Sequence, residues 1–172
     1  MADSIPDLEQ LLADLDQNNF PPHIAALPVK EKIKKAFTAY ERCNATQPWG
    51  LVPSIPKETL AAWRQSGVER RKISMLTRIL LTNIWWGFFF GPFYYIVSGL
   101  SANPGLWKKG LVLFGGLLVL STIVHVLFLV ITGMLMPRAL NFGIAGGISY
   151  VISVMATYDL YRLKVKKEIF WW

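Results

Sequence analysis

The stretch NIWWGFFFGPFYYIVSGL, residues 83–100, decides the fold of this 172-residue chain, because it is either a membrane crossing or an insertion that turns back. Trp and Tyr side chains prefer the boundary between lipid headgroups and acyl chains. Proline lacks an amide hydrogen and crowds the preceding turn, so we expect the helix to break at Gly91 and restart with Pro92 in its first turn. Such a break is less costly near the interface than in mid-bilayer. The eight aromatic residues crowded around it are Trp85, Trp86, Phe88, Phe89, Phe90, Phe93, Tyr94 and Tyr95.

Three apolar segments, 79–100, 110–136 and 139–161, each exceed the roughly 18 residues that nominate a spanning helix. With three crossings, six flanking lysines and arginines lie on each side of the membrane, and this tie gives no orientation. With two crossings, eleven of them lie on the side that holds both termini, and only Arg138 lies across. The charges therefore favour a broken, re-entrant or interfacial aromatic segment before a two-helix hairpin; a proline-kinked ordinary span is the alternative.

Charge and composition separate a polar head from an apolar remainder. Residues 1–72 hold nine of the eleven acidic side chains, whereas residues 73–172 hold two acidic and eight basic ones. The net charge of +7 could suggest nucleic acid, but the bases lie beside apolar runs, where anionic lipid headgroups explain them better. The acidic N-terminus does not have the pattern of a signal peptide, so we expect the head in the cytosol.

The head is predicted to contain helices over 4–17, 28–42 and 54–67. In the first, apolar residues recur at i, i+3, i+4 and i+7 opposite an acidic face. This stripe can pack within the head, lie on the membrane surface or enter a groove on a partner protein, and we select it as the candidate partner-binding surface. Its members are Leu8, Leu11, Leu12 and Leu15.

The predicted fold class is all-α and integral to the membrane. A cytosolic helical head (1–72) precedes an amphipathic-to-apolar helix with the broken aromatic segment (73–104). A transmembrane hairpin (105–162) and a basic, aromatic cytosolic tail (163–172) follow. We assign the aromatic residues above, Pro92 and Trp107 to the membrane interface.

Small residues on the last helix favour close helix packing, either against the other helix of the hairpin or against a second copy of the chain. They are Gly143, Gly147, Ser149 and Ser153.

Two polar side chains lie within the apolar helices, where such groups are costly and indicate function by default. Counted from the outer turn, His125 is level with 151, so we expect a hydrogen bond to Ser149 or Ser153. Asp159 lies about 12 Å deeper toward the cytosol and is expected to meet Arg162 or Lys109.

No catalytic constellation, nucleotide-binding fingerprint or metal-ligand spacing is recognisable. The sequence therefore predicts no catalytic residue, no cofactor and no metal site.

The runs WWGFFFGPFYYIVSGL, LWKKGLVLF and ISYVISVMATYDLYRLKVKK resemble the DUF2628 family of small bacterial inner-membrane proteins over about residues 83–167. The insertion SANPG departs from the family pattern, and Asp159 stands where the resemblance implies an uncharged polar residue. The head falls outside this resemblance. The family carries no assigned activity, so the resemblance implies a membrane class and a bacterial source but no reaction.

We expect a non-enzymatic protein of the bacterial inner membrane, with both termini cytosolic, that binds or regulates another protein. Anionic headgroups are its expected lipid contacts, nucleic acid is not an expected partner, and homo-oligomerisation stays open. The alternatives are an immunity or inhibitor protein against a toxin, and an accessory subunit of a transporter or channel.

Overall fold

The structure is a computed structural model that describes residues 6–96 and 106–168, apart from the side chains of Trp49, Trp85, Trp86 and Leu106. Within these ranges the chain is helical, with one isolated antiparallel bridge between Thr46 and Ser54. Residues 92–96 are also helical. In chain order the helices are α1 (Leu8–Asp16), α2 (Pro22–Ala25), α3 (Glu31–Arg42), a 3-10 turn (Pro48–Gly50), α4 (Lys57–Gln65), α5 (Arg70–Leu80), α6 (Trp85–Phe90), α7 (Leu106–Thr132) and α8 (Arg138–Lys164).

Helix α1 begins at Leu8, four residues after the start of the predicted range 4–17, and Asp7 is its N-cap. Asp7 has an extended backbone, and its carboxylate accepts a hydrogen bond from the amide of Glu9 at 2.9 Å. Ser4 lies outside the described residues. The cap satisfies an amide that the first turn leaves unpaired, and the apolar stripe of α1 faces inward.

The other predicted head helices have the expected type with shifted starts. The helix predicted over 28–42 begins at Glu31, and the helix predicted over 54–67 begins at Lys57. Pro56 is the N-cap of α4, and Trp63 of this helix is buried. Helix α2 was not predicted; Pro22 in its first turn fits the preference of proline for this position.

The head helices pack on one another, which confirms the self-packing alternative. Their shared core extends onto α8: Phe37 of α3 contacts Tyr161 with ring centroids 5.6 Å apart. Tyr40 contacts Tyr158 edge-on at 5.0 Å. The head therefore packs against the C-terminal half of α8, an arrangement that the sequence did not predict.

The aromatic segment breaks where the sequence predicts. Helix α6 ends at Phe90, and Gly91 takes φ +50° and ψ −128°, a conformation that L side chains rarely adopt. The chain re-enters a helix at Pro92. Before the break, the amide of Ile84 faces the carbonyl of Ser153 on α8; after it, the Tyr95 hydroxyl donates to Asp159 on the same helix. The segment therefore contacts α8 on both sides of its break.

Helices α7 and α8 are long and apolar enough to cross a membrane. Mean hydropathy reaches 2.5 over 18 residues in α7 and 1.6 in α8. Gly133, with φ +67°, follows the first helix, and Pro137 precedes the second, so the two form a hairpin with a short turn. The apolar side chains of the hairpin near this turn are exposed, whereas α8 is buried from Ile152 to Asp159.

Candidate functional site

Three polar side chains meet where the aromatic segment, α7 and α8 converge; we call them the junction cluster. Its members are Tyr95, Lys109 and Asp159. The carboxylate oxygen Oδ2 of Asp159 accepts hydrogen bonds from the Tyr95 hydroxyl and from the Lys109 Nζ, each at 2.7 Å. The three residues are 1%, 0% and 1% exposed. A buried salt bridge therefore lies at the centre of the fold.

Gly110 of α7 allows residues 92–96 of the aromatic segment to reach this cluster. A Cβ atom added at Gly110 would lie 2.8 Å from the side chain of Ile96 and 3.0 Å from both the carbonyl oxygen of Pro92 and the Cβ of Tyr95. Side chains are rarely found so close to a backbone oxygen. The missing side chain at 110 thus sets how closely residues 92–96 approach α7.

The head covers the junction cluster from the other side. The Lys109 Nζ lies 3.3 Å from the carbonyl oxygen of Gly50, in the loop after α3. The Tyr158 hydroxyl donates to the carbonyl of Ala45 in the same loop, and the Tyr40 hydroxyl donates to that of Leu80 at 2.7 Å. Two of these hydrogen bonds, from Lys109 and Tyr158, join the hairpin to the head, and the third joins α3 to the end of α5.

Charge neutralisation inside the fold makes the cluster sensitive to the loss of either partner. A buried ion pair gains little over an apolar substitute, but removing one partner leaves an uncompensated charge that costs about 3–5 kcal/mol. The other Asp159 oxygen, Oδ1, has no hydrogen-bond partner among the described residues. The cluster thus fixes one arrangement of the helices instead of offering an open reactive group.

A second feature is a cavity of about 410 Å³ between the hairpin and the aromatic segment. Phe89, Phe90 and Phe93 border it from the aromatic segment. His125 of α7 and Ser149 of α8 are among its polar residues. The cavity therefore combines apolar walls with a few hydrogen-bonding groups, the usual composition of a small-molecule site.

A family model described as "Protein of unknown function (DUF2628)" matches residues 34–167, which is more than half of the chain. The chain belongs to the DUF2628 family. The match confirms the resemblance over the aromatic segment and the hairpin, and it also takes in most of the head from α3 onward. The expectation that the head lies outside the family pattern was therefore wrong for residues 34–72, whereas residues 1–33 do lie outside the match. No curated protein and no solved structure gives a significant match to the chain.

The predicted partner surface of this DUF2628 chain is part of its core. Side chains from α3 and α5 share that core with the stripe, so the four leucines are not available to an outside groove. Their periodicity identified the buried face of α1 correctly, but it could not say which surface covers that face. These residues are Leu8, Leu11, Leu12 and Leu15.

The aromatic residues divide into two groups. Phe89, Phe90 and Phe93 are more than half exposed and Trp107 is 37% exposed, as a membrane-interface role requires, and that role stays a prediction. Tyr95 is buried in the junction cluster, so its assignment to the lipid interface was wrong. Phe88, Pro92 and Tyr94 are partly buried; the side chains of Trp85 and Trp86 lie outside the described set.

The predicted small residues pack differently from one another. A Cβ atom added at Gly143 or Gly147 would meet no atom within 4 Å, so neither glycine packs against α7 in this chain. Ser153 instead packs closely against α6, because a Cβ atom added at Gly87 would lie 3.0 Å from the Cα of Ser153. Close packing on α8 therefore involves the aromatic segment, and contact of the two glycines with a second copy stays a prediction.

The predictions for the two polar residues of the apolar helices have different outcomes. Asp159 pairs with Lys109, one of its two expected partners, although in the core and not at an open interface. The Nδ1 atom of His125 lies 2.7 Å from the carbonyl oxygen of Ser121 in its own helix, so the expected bond across the hairpin to Ser149 or Ser153 is not made. The role of Tyr95 as a hydrogen-bond donor was missed, since a tyrosine hydroxyl in an aromatic run gives no distinguishing signal.

Among the described residues, no group of three His, Cys, Asp or Glu side chains is placed to hold a metal ion. His23 lies 3.1 Å from Glu41 at the surface of the head. Cys43 is buried, and burial raises the pKa of its thiol to about 12. Burial and, to a smaller extent, Tyr158 also raise the pKa of Tyr40.

Proposed function

We propose that this protein is a non-enzymatic, membrane-anchored binding protein that holds a protein partner at the bacterial inner membrane. On this proposal α7 and α8 cross the bilayer, the aromatic segment enters it and returns, and both termini are cytosolic. The observation that carries the proposal is the junction cluster, which joins head and hairpin through buried contacts. A head fixed in this way presents its outer surface to the cytosol in one orientation.

The exposed face of α5 supports a position at the membrane surface. Arg71, Met75 and Arg78 follow one another at i, i+4 and i+7 and are exposed, just before the aromatic segment begins. Arginines next to an apolar insertion suit anionic lipid headgroups, each contributing about 1 kcal/mol near the surface.

Topology is the first test. A reporter that is active in only one compartment is fused to each end of the full chain in turn. Both fusions should report the cytosolic side, since two crossings return the chain to its starting side. Opposite reports from the two ends would contradict the proposed crossing number.

The partner surface is tested by substitution at exposed positions, because deleting α1 would remove four leucines of the core. Asp7 and Asp16 lie on the exposed acidic face of α1. Asp7 also caps the helix, so the informative variant is Asp16→Lys, and Lys57→Glu on the exposed start of α4 is the matched control. In mild detergent, Asp16→Lys should lose a co-purified protein that the control keeps. An identical protein set in both variants would contradict partner binding at this face, and a toxin or a transporter subunit as the captured protein would select between the two alternative functions.

A further inference from the structure

We propose that the cavity between the aromatic segment and the hairpin binds a neutral lipid through a hydroxyl group, with the imidazole of His125 as the hydrogen-bond acceptor. The inference uses the membrane placement of the hairpin from the proposed function and adds a ligand class to it. Three observations carry the proposal. They are the position of the cavity, the hydrogen bonding of His125 and the residues that line the cavity.

The position of the cavity gives it access to lipid. Phe114 and Leu118 of α7 border it and are themselves exposed, as are Phe89 and Phe90 on the other side. A volume of about 410 Å³ falls within the range of roughly 300–1,000 Å³ found for small-molecule sites. An apolar ligand can therefore enter from the bilayer without crossing water.

The hydrogen bond inside α7 fixes what His125 can offer. A carbonyl oxygen only accepts, so the Nδ1 atom, 2.7 Å from the carbonyl of Ser121, carries the hydrogen. With the hydrogen on Nδ1, the Nε2 atom is the acceptor of the ring, and no hydrogen bond to Nε2 is made within the described part of the chain. An acceptor in an apolar environment requires a donor, and a hydroxyl group is the neutral donor that lipids carry.

The walls exclude charged lipids. The described lining contains aromatic and aliphatic side chains with Ser121, Asn141 and Ser149, and it holds no Lys, Arg, Asp or Glu. A phosphate would therefore lose its hydration with no cation to replace it. The ligand is a lipid whose polar end is a single alcohol.

Depth also favours a small polar end. His125 lies seven residues before the end of α7 at Thr132, which is about 10 Å along the helix axis at 1.5 Å per residue. A zwitterionic headgroup drawn this far below the surface would be desolvated at great cost, whereas one hydroxyl satisfied by Nε2 is not.

The test uses the full chain in phosphatidylcholine nanodiscs and two photoreactive probes. One probe is a diacylglycerol with a diazirine in one acyl chain, and the other is the same molecule with its hydroxyl acetylated. After illumination, crosslinked peptides are identified by mass spectrometry. The probe with the free hydroxyl should label the cavity lining about fivefold more than the acetylated probe. This ratio corresponds to one hydrogen bond of about 1 kcal/mol.

Three variants locate the effect. His125→Leu should abolish the preference for the free hydroxyl while labelling persists, and Ala145→Phe, which fills the cavity, should abolish labelling by both probes. Val126→Phe, on a neighbouring exposed position outside the lining, should behave like the unaltered chain. Equal labelling by the two probes in the unaltered chain, or a preference that survives His125→Leu, would overturn the proposal. The topology reporters are read separately, so failure of the hydroxyl preference is distinguishable from failure of the membrane placement.

Discussion

At the scale of single residues, the salt bridge between Lys109 and Asp159 determines whether three separate segments can share one buried site. Each side chain alone would leave a charge in an environment that water does not reach. Together, and with the Tyr95 hydroxyl, they neutralise the charge and satisfy one carboxylate oxygen twice. This dependence on both partners gives the first prediction.

Lys109→Met should destabilise the protein by about 3–5 kcal/mol, because it leaves the Asp159 carboxylate buried without its cation. Adding Asp159→Leu to it should recover much of this loss, since the double variant contains no buried charge. The measurement is the thermal unfolding midpoint of the full chain in mild detergent. Lys108→Met is the matched control, because Lys108 is exposed and its removal should change stability by less than about 0.5 kcal/mol. Additive effects of the two junction substitutions would contradict the pairing.

Cys43 gives a prediction about pH. Its pKa is about 12 in the folded head and about 8.5 in an unfolded chain. The folded state therefore holds the thiol proton more tightly, so the stability linked to it is complete below pH 8.5 and is lost as the pH rises toward 12. Between pH 8 and 10 the unfolding midpoint of the Cys43→Ala variant should fall less than that of the unaltered chain. Parallel curves would show that the thiol does not titrate differently on unfolding.

At the scale of elements, the aromatic segment depends on glycines whose roles differ. Gly91 permits the backbone conformation of the break, whereas Gly87 and Gly110 permit close approach to α8 and to residues 92–96. Without these glycines the aromatic segment would be equally apolar, but it could not reach the junction cluster.

Gly110→Ala should destabilise the protein by about 1–3 kcal/mol, because the added methyl group must displace a backbone carbonyl oxygen. Gly115→Ala, where a Cβ atom meets nothing within 4 Å, serves as the control and should be neutral or stabilising through its helix propensity. Both are read from thermal midpoints in detergent. Equal midpoints for the two variants would mean that residues 92–96 do not pack closely on α7.

At the scale of the whole molecule, head and hairpin share one core. Phe37, Tyr40, Tyr158 and Tyr161 contact one another across the boundary between the two parts. An amphipathic head tethered by a flexible linker would not make these contacts with α8. We therefore expect damage in the head to reach α8.

Phe37→Ala should cost about 3–5 kcal/mol, as truncation of a buried aromatic side chain does. It should also speed hydrogen exchange in the α8 peptide that contains Tyr158 and Tyr161. Met75→Ala, at an exposed position on α5, is the control and should leave that exchange unchanged. Unaltered exchange in the α8 peptide of Phe37→Ala would contradict the shared core.

Local patterns were sufficient for the type of each long element and for the break at Gly91. A leucine spacing of 3, 4 and 7 residues follows from helix geometry alone, as does the inability of proline to continue a helix. The expected pairing of Asp159 with Lys109 also succeeded, because a charge deep in an apolar segment needs an opposite charge within reach.

Tertiary structure decided which surface covers each apolar face. The leucines of α1 face α3 and α5, Ser153 receives α6, and Tyr95 turns inward to a carboxylate 64 positions later in the chain. Periodicity identifies a face but carries no information on its partner, since every apolar surface gains similar free energy on burial. The sequence by itself determined the long helices, the break at Gly91 and the two helices that are candidates to cross a membrane. Only long-range packing determined that the head, the aromatic segment and the hairpin meet around one buried ion pair.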